Sequence, residues 1–247
     1  MAYTLRMWRA LSAADALSVG RDTLLRAMVF VPLALAIAAR WVFPPALARV
    51  AGLLSFDLLA LYPQLMSYVL LLLAPTICGM VVGFVLLDQR DDHTLAAMQV
   101  TPLPLQGYLA YRLAAPMLLS LLMTLAALPL AGLMPLGPLE LVALALAAAP
   151  LAPLTALFLA GFAANKVQGF ALQKALGVLL LAPYLAALLP GRWELLAALV
   201  PTYWPAALLW ELQDQAGYTW ALLPIGLAYQ AALLAGLLRR FERATHA

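Results

Sequence analysis

The densest charge in the sequence is Asp88, Arg90, Asp91, Asp92 and His93, inside the stretch LLDQRDDHTLAAMQVTPLPLQGYLAYR that ends at Arg112. A histidine among carboxylates suits metal ligation or proton exchange near neutral pH. A ligand set needs convergent groups, and the nearest other histidine is His246 in the tail, so no metal site is expected and a titrating contact at a protein interface is the favoured reading. Hydrolytic chemistry finds no support either. The sequence has no His-Glu-x-x-His, no Gly-x-Ser-x-Gly and no paired aspartates within its apolar runs. It also lacks a glycine-rich phosphate loop ending in Lys-Ser or Lys-Thr, so it cannot bind ATP in the usual manner. No catalytic residue, and no cofactor on this chain, is expected.

What the charged stretch offers is shape. Asp91 and Asp92 stand before HTLAAMQV, a run of helix formers, where acidic groups suit the positive end of the helix dipole. Pro102 pushes Thr101 out of the helical region and stops the helix near Val100. Leu95 and Met98 then share one face of a short helix and need a partner surface. The plainer alternative is a solvated loop that only returns the chain to the membrane.

The elements that must position this loop are apolar. Of 247 residues, 66% are hydrophobic and 10% are charged, which excludes a water-soluble domain. Six runs approach the roughly 20 residues needed to cross a bilayer: about Leu24–Phe43, Gln64–Leu87, Leu113–Met134, Leu139–Ala163, Ala175–Leu189 and Tyr218–Leu238. The fold class expected is all-α, a polytopic membrane protein of six transmembrane helices forming a single domain over 1–247. Arg26 and Arg40 bound the first run and can snorkel to opposite headgroup layers. With the N-terminus inside, the inner segments hold Arg6, Arg9, Arg21, Arg26, Arg90, Arg112, Lys166, Lys174, Arg239, Arg240 and Arg243, and the outer ones only Arg40, Arg49 and Arg192. Both termini are therefore expected on the cytoplasmic side of the cell inner (plasma) membrane.

Outside the runs, residues 1–21 read as an amphipathic interfacial helix with Met7, Leu11, Ala14 and Ser18 on one stripe, Asp15 elsewhere and Trp8 in the headgroup layer. This segment has no cleavable signal pattern and is expected to stay in the mature chain. Gly20 is expected to end it with a left-handed cap, and Asp22 or Thr23 to start the first span. Residues 190–217, broken by Pro201 and Pro205 and rich in Trp and Tyr, read as short helices half-sunk in the outer interface.

Several residues inside the runs admit two readings. Cys78 is either a reactive thiol or inert packing, with an apolar site favouring the second. Gly79 and Gly83 permit close helix approach, within one subunit or between two, and Gln230 can bond across helices or touch a substrate. Prolines recur at 32, 75, 116, 129, 150, 153 and 183 and can bend the spans. Met66, Tyr68, Met80, Met117 and Met123 are candidates to line a substrate path, since such side chains adapt to varied apolar shapes, and core packing is their alternative role.

The stretch DQRDDHTLAAMQVTPLPLQGYLAYR resembles the cytoplasmic loop of permease subunits of type-2 ABC exporters. That loop has a Glu-Arg-acidic run, then Gly-Thr-Leu and, after a short helix, Thr-Pro. Arg90, Asp91 and Asp92 match the charged run, and Thr94, Leu95, Thr101 and Pro102 the rest; Gln89 replaces the usual Glu and His93 the common Gly. AANKVQGFALQK looks like the Asn-Lys-Val, Gly and Lys pattern of the fluoroquinolone-export permease branch. The resemblance implies an ATP-driven exporter of a hydrophobic or amphipathic substrate, drug-like or lipid. Its partners would be a cytosolic ABC ATPase subunit carrying ATP and Mg, a second permease (self or sister subunit) and membrane lipids, with no nucleic acid. Residues 88–111 become a coupling loop, with Asp88, Arg90, Asp91, Asp92, His93, Thr94, Leu95, Met98, Thr101 and Pro102 as the ATPase-coupling set. The alternatives are an ion-coupled carrier, disfavoured because the span centres hold almost no ionisable groups, an intramembrane enzyme, and a non-transporting immunity or scaffold protein on the same fold.

Overall fold

A computed structural model describes residues 2–51, 58–91, 105–188, 196–214 and 219–246. Among these residues all regular structure is helical. The helices are α1 (Ala2–Arg21), α2 (Thr23–Trp41), α3 (Phe43–Ala51), α4 (Leu58–Asp91), α5 (Leu105–Ala131), α6 (Pro138–Ala148), α7 (Leu151–Phe162), α8 (Lys166–Leu179), α9 (Ala182–Leu188), α10 (Tyr203–Asp214) and α11 (Thr219–His246). Five stretches of the described residues are long and apolar enough to cross a membrane: Thr23–Trp41, Leu59–Asp91, Ala110–Ala131, Pro138–Phe162 and Trp220–Arg240. The chain is thus an all-helical, multi-pass membrane protein.

Proline chemistry explains how two of the apolar runs are divided. Pro150 has no N–H for Leu146 O, and Pro153 has none for Ala149 O, so the run ahead of Ala163 breaks into α6 and α7. Ala149 O takes the Ala152 N–H instead, at 3.2 Å, in a tightened turn. The run expected over Ala175–Leu189 falls on α8 and α9, again because Pro183 cannot donate to Leu179 O. Leu180 and Leu181 turn the chain there with bonds to Gly177 O (3.2 Å) and Val178 O (3.0 Å).

Burial separates the centre from the flank. The span in α4 is 83% buried and that of α6–α7 is 78% buried, against 11% for α11, so α4 and α7 form the axis that the other helices surround. Lipid gives helices no hydrophobic reason to associate, so close packing of small residues must do it. A Cβ on Gly79 would lie 2.3 Å from Ala152 O, and one on Gly83 would lie 3.1 Å from the Leu159 side chain. The Gly79-x-x-x-Gly83 pair is therefore a packing face within one subunit, seated on α7. Gln230 is fully buried, and its Nε2 donates to Ala147 O at 3.1 Å beside the α6–α7 break, which is the cross-helix role expected of it. Cys78 is buried in α4.

One capping expectation changes, and the other, that Asp22 or Thr23 starts the first span, holds at Asp22. α1 runs through Gly20 to Arg21, and the only positive-φ glycine among the described residues is Gly132. Asp22 makes the break instead: extended at φ −89°, it accepts from Leu24 N (2.9 Å) and Leu25 N (3.2 Å) and starts α2. At the other end, Gly132 (φ +59°) closes α5 and leaves room for Arg40, whose Nη1 donates to Leu130 O at 3.3 Å. Part of the segment expected at the outer interface, α10, also packs on the bundle. Ala206, Leu208 and Leu209 of α10 are buried with Leu70–Leu72 of α4 and Leu144 of α6 in the main core.

Candidate functional site

The loop singled out by sequence springs from the last turn of α4 and returns at the start of α5. Asp92, His93, Thr94, Leu95, Met98, Thr101 and Pro102 lie outside the described residues; Asp88, Arg90 and Asp91 lie within them. α4 has 34 residues, which at 1.5 Å per residue is about 50 Å, well beyond a hydrocarbon core of about 30 Å. Its charged final turns must therefore stand clear of the lipid. Three cations tie these turns to the rest of the bundle.

Arg90 reaches the end of α7. Its Nη2 donates to Ala163 O (2.8 Å) and Ala164 O (2.7 Å), and its Nη1 to Ala160 O (3.3 Å). A helix ends with unpaired carbonyls and partial negative charge, so a guanidinium there answers both needs.

Arg112, 2% exposed, reaches α1. Its Nη1 donates to Asp15 Oδ2 at 2.7 Å and its Nη2 to Gln89 Oε1 at 2.6 Å. Tyr111 donates its hydroxyl to the same Asp15 oxygen at 2.8 Å. Arg112 also lies 5.0 Å from the Tyr108 ring centre and 5.4 Å from that of Tyr111, within cation–π range. Burial pushes the Tyr108 hydroxyl above its ordinary pKa, and the arginine beside it offsets part of that rise. This arrangement turns α1 from its expected pose. Ala14 and Ser18 are exposed, whereas Met7, Leu11, Asp15 and Val19 face the bundle, and Trp8 packs edge-on against Tyr111 at 6.0 Å.

Lys166 makes the third tie. Its Nζ lies 3.0 Å from Asp22 Oδ2 at the start of α2 and 2.8 Å from Asp88 Oδ2 at the end of α4. The hydrogen bond from Lys166 holds the Asp22 carboxyl below its usual range, against a smaller opposing effect of burial. For Lys166 burial is the largest influence and works downward, but the bonds to Asp88 and Asp22 together outweigh it and leave the ammonium held above its ordinary value. The surrounding motif has a local logic. Asn165 caps α8 by accepting from Gln168 N (3.0 Å), while Gln168 Oε1 accepts from Ala164 N (2.6 Å). Gly169 brings α8 onto α4, since a Cβ there would sit 2.8 Å from the Phe84 ring.

The candidate path residues do not share one space. Tyr68 donates its hydroxyl to Leu180 O and packs with Tyr184 (4.4 Å) and Trp210 (5.9 Å). Met80 is buried with Leu25, Val81 and Phe84, and Met66 lines a groove with Phe43 and Tyr62 between α3 and α4. Met117 and Met123 are half-buried on α5.

Sequence reasoning missed Asp15, Gln89, Tyr108, Tyr111, Arg112, Asp22 and Lys166 as members of one assembly. A signal existed: Asp15 is the only acid in α1, set among apolar residues, and Arg112 opens an apolar run between Tyr111 and Leu113. Opposite charges each stranded in apolar surroundings are candidates to meet.

A protein-family model described as "Fluoroquinolones export permease protein Rv2686c-like" matches residues 15–238. The fluoroquinolones export permease protein Rv2686c of Mycobacterium tuberculosis is 33% identical over 229 residues, which covers 92% of this chain and 90% of that relative. The fluoroquinolones export permease protein MT2760, from another strain of Mycobacterium tuberculosis, is similar to the same extent. No solved structure matches the chain.

Proposed function

Because the chain belongs to the Rv2686c-like family of fluoroquinolones export permease proteins, we propose that it is the membrane-spanning subunit of an ATP-driven exporter that moves a drug-like or lipid substrate outward. A separate cytosolic ABC ATPase supplies ATP and Mg, and a second permease, a copy or a sister, completes the path. In this reading the chain is a transporter subunit and not an enzyme. It is one domain in the inner membrane with both termini cytoplasmic, and α8 with α9 makes a sixth crossing beside the five long apolar stretches.

The observation that carries the reading is the charged end of the bundle. Arg112, Lys166 and Arg90 join α1, the foot of α2, both roots of the loop and the α7–α8 joint through bonds of 2.6–3.3 Å. A push on residues 92–104 or on α1 is thereby delivered to α4, the most buried helix. Packed cores shift as units rather than stretch, so such a push moves the axis of the bundle.

The test is to replace Leu95 and Met98 by Asp in the full chain. The expected result is normal membrane insertion, loss of ATP-dependent efflux and reduced recovery of an ATPase with the purified chain. Normal efflux by this variant, or a wild-type chain that exports without any ATPase, would defeat the proposal.

A further inference from the structure

Two arginines bracket the break between α1 and α2. Arg21 is the last residue of α1 and Arg26 stands one turn past the cap at Asp22. The chain passes between them with Asp22 N bonded to Ser18 O (3.2 Å) and Arg26 N to Asp22 O (3.0 Å), so the two side chains leave the backbone close together. Both are exposed, and among the described residues neither guanidinium has a hydrogen-bond, ion-pair or ring partner. The carboxylate between them is already committed, since Asp22 accepts from Leu24 N, from Leu25 N and from Lys166 Nζ at 3.0 Å.

The place of Arg26 in its helix limits what can meet it. The α2 span is only 22% buried, and Arg26 shares its outward stripe with Phe30 and Ile37, which are 60% and 47% exposed. One turn is about 6 Å along the axis, so Arg26 stands where hydrocarbon gives way to headgroups, and its stem can follow the apolar surface while the guanidinium turns back to the polar layer. Arg21 lies on the headgroup side of the same break. Along α1 the exposed Arg6 and Arg9 add positive charge one turn apart, and Asp15, the only acid in that helix, is held by Arg112. The counter-charge must therefore come from outside the chain.

We infer that Arg21 and Arg26 bind the phosphodiester of an anionic phospholipid at this end of the bundle. A guanidinium pairs with two phosphate oxygens at once, and it gains most where no choline in the same headgroup cancels the phosphate charge. A cytosolic protein fits the pair less well, because Arg26 shares its stripe with side chains that face acyl chains. The inference goes beyond the export reading and needs only that the bundle spans a bilayer.

The test counts lipids on the full chain by native mass spectrometry from detergent, with dioleoyl phosphatidylglycerol and dioleoyl phosphatidylcholine as probes. The first phosphatidylglycerol should bind about fivefold more tightly than the first phosphatidylcholine, the worth of one arginine at an anionic headgroup. Arg21→Gln with Arg26→Gln should abolish that preference, and Arg21→Lys with Arg26→Lys should keep part of it. Both pairs should unfold at the wild-type temperature in detergent alone, and a lower temperature would count against the inference by showing that the arginines serve the fold. No preference in the wild-type chain, or a preference that survives the glutamine pair, overturns the inference. Equal loss in Arg239→Gln with Arg240→Gln, exposed arginines towards the end of α11, also overturns it by tracing the effect to overall charge. Displacement of the lipid by inorganic phosphate would reassign the pair to a free anion. A lipid preference unchanged in the glutamine pair, together with weaker recovery of an ATPase, would assign the arginines to protein docking instead.

Discussion

Arg112 Nη1 meets Asp15 Oδ2 at 2.7 Å, joining the N-terminal helix to the root of α5 across 97 residues of sequence. The arginine side chain is 2% exposed and the aspartate 18%, so neither charge can fall back fully on water. Arg112→Ala would strand the carboxylate, and breaking one side of a buried pair costs about 3–5 kcal/mol. The double variant Asp15→Asn with Arg112→Gln should cost less than the two single changes added together. Thermal unfolding of the four proteins in detergent forms the cycle that measures this coupling; strict additivity would show that the two side chains do not interact.

The Lys166 clamp predicts a pH dependence with a definite sign. Asp22 has a depressed pKa, so its contribution is present above the ordinary carboxylate value of 3.8 and is lost as pH falls through the lowered one. Lys166 has a raised pKa, so its contribution is complete below 10.5 and is lost only as pH climbs past the raised value. The clamp is therefore closed across the neutral range and opens at acid pH by protonation of the aspartate. Lys166→Met should flatten the acid side of the stability profile; a profile identical to wild type below about pH 4 would remove Asp22 from the clamp.

Much of this organisation is legible in the chain because lipid imposes it. Five of the six expected apolar runs, the Gly79-x-x-x-Gly83 face and the cross-helix role of Gln230 each follow from a local rule, and each is found among the described residues where the rule places it. What escapes local reading is pairing over distance. Asp15 looks like a surface charge on an amphipathic helix until Arg112, Tyr111 and Gln89 are brought to it by tertiary packing. The same holds for α10. Its Ala206, Leu208 and Leu209 are drawn into the core and Trp210 stacks on Tyr68, contacts that no local pattern announces. Gly20 misleads for the opposite reason: glycine permits a left-handed cap without requiring one, and Asp22 supplies a stronger stop two residues on.

Gly79 and Gly83 should differ in tolerance although they share one face. A Cβ at Gly79 meets the backbone oxygen of Ala152 at 2.3 Å, and backbone cannot step aside. At Gly83 the nearest atoms are Leu159 Cβ and Cδ1 at 3.1 Å, with Ala156 Cα at 3.3 Å, so the neighbours need to give only a few tenths of an ångström. Gly79→Ala is expected to cost at least the 1–3 kcal/mol typical of overpacking, and Gly83→Ala about 1 kcal/mol or less. Thermal unfolding in detergent ranks the two; the reverse order would contradict the α4–α7 packing described above.

Arg90 offers the sharpest distinction between an internal strut and a contact made only with a partner. Its guanidinium covers Ala160 O, Ala163 O and Ala164 O, so the end of α7 is held by a side chain from α4. Arg90→Ala removes charge-assisted bonds of about 1.5–3 kcal/mol each in favourable cases, an upper range for a half-exposed group. The loss should register in the purified chain alone, as a lower unfolding temperature with no ATPase present. Arg90→Lys should recover only part of it, because one ammonium cannot reproduce a planar fork spread over carbonyls from two turns. Unchanged unfolding temperature in the isolated Arg90→Ala chain, combined with weaker recovery of the ATPase, would move Arg90 from strut to docking contact.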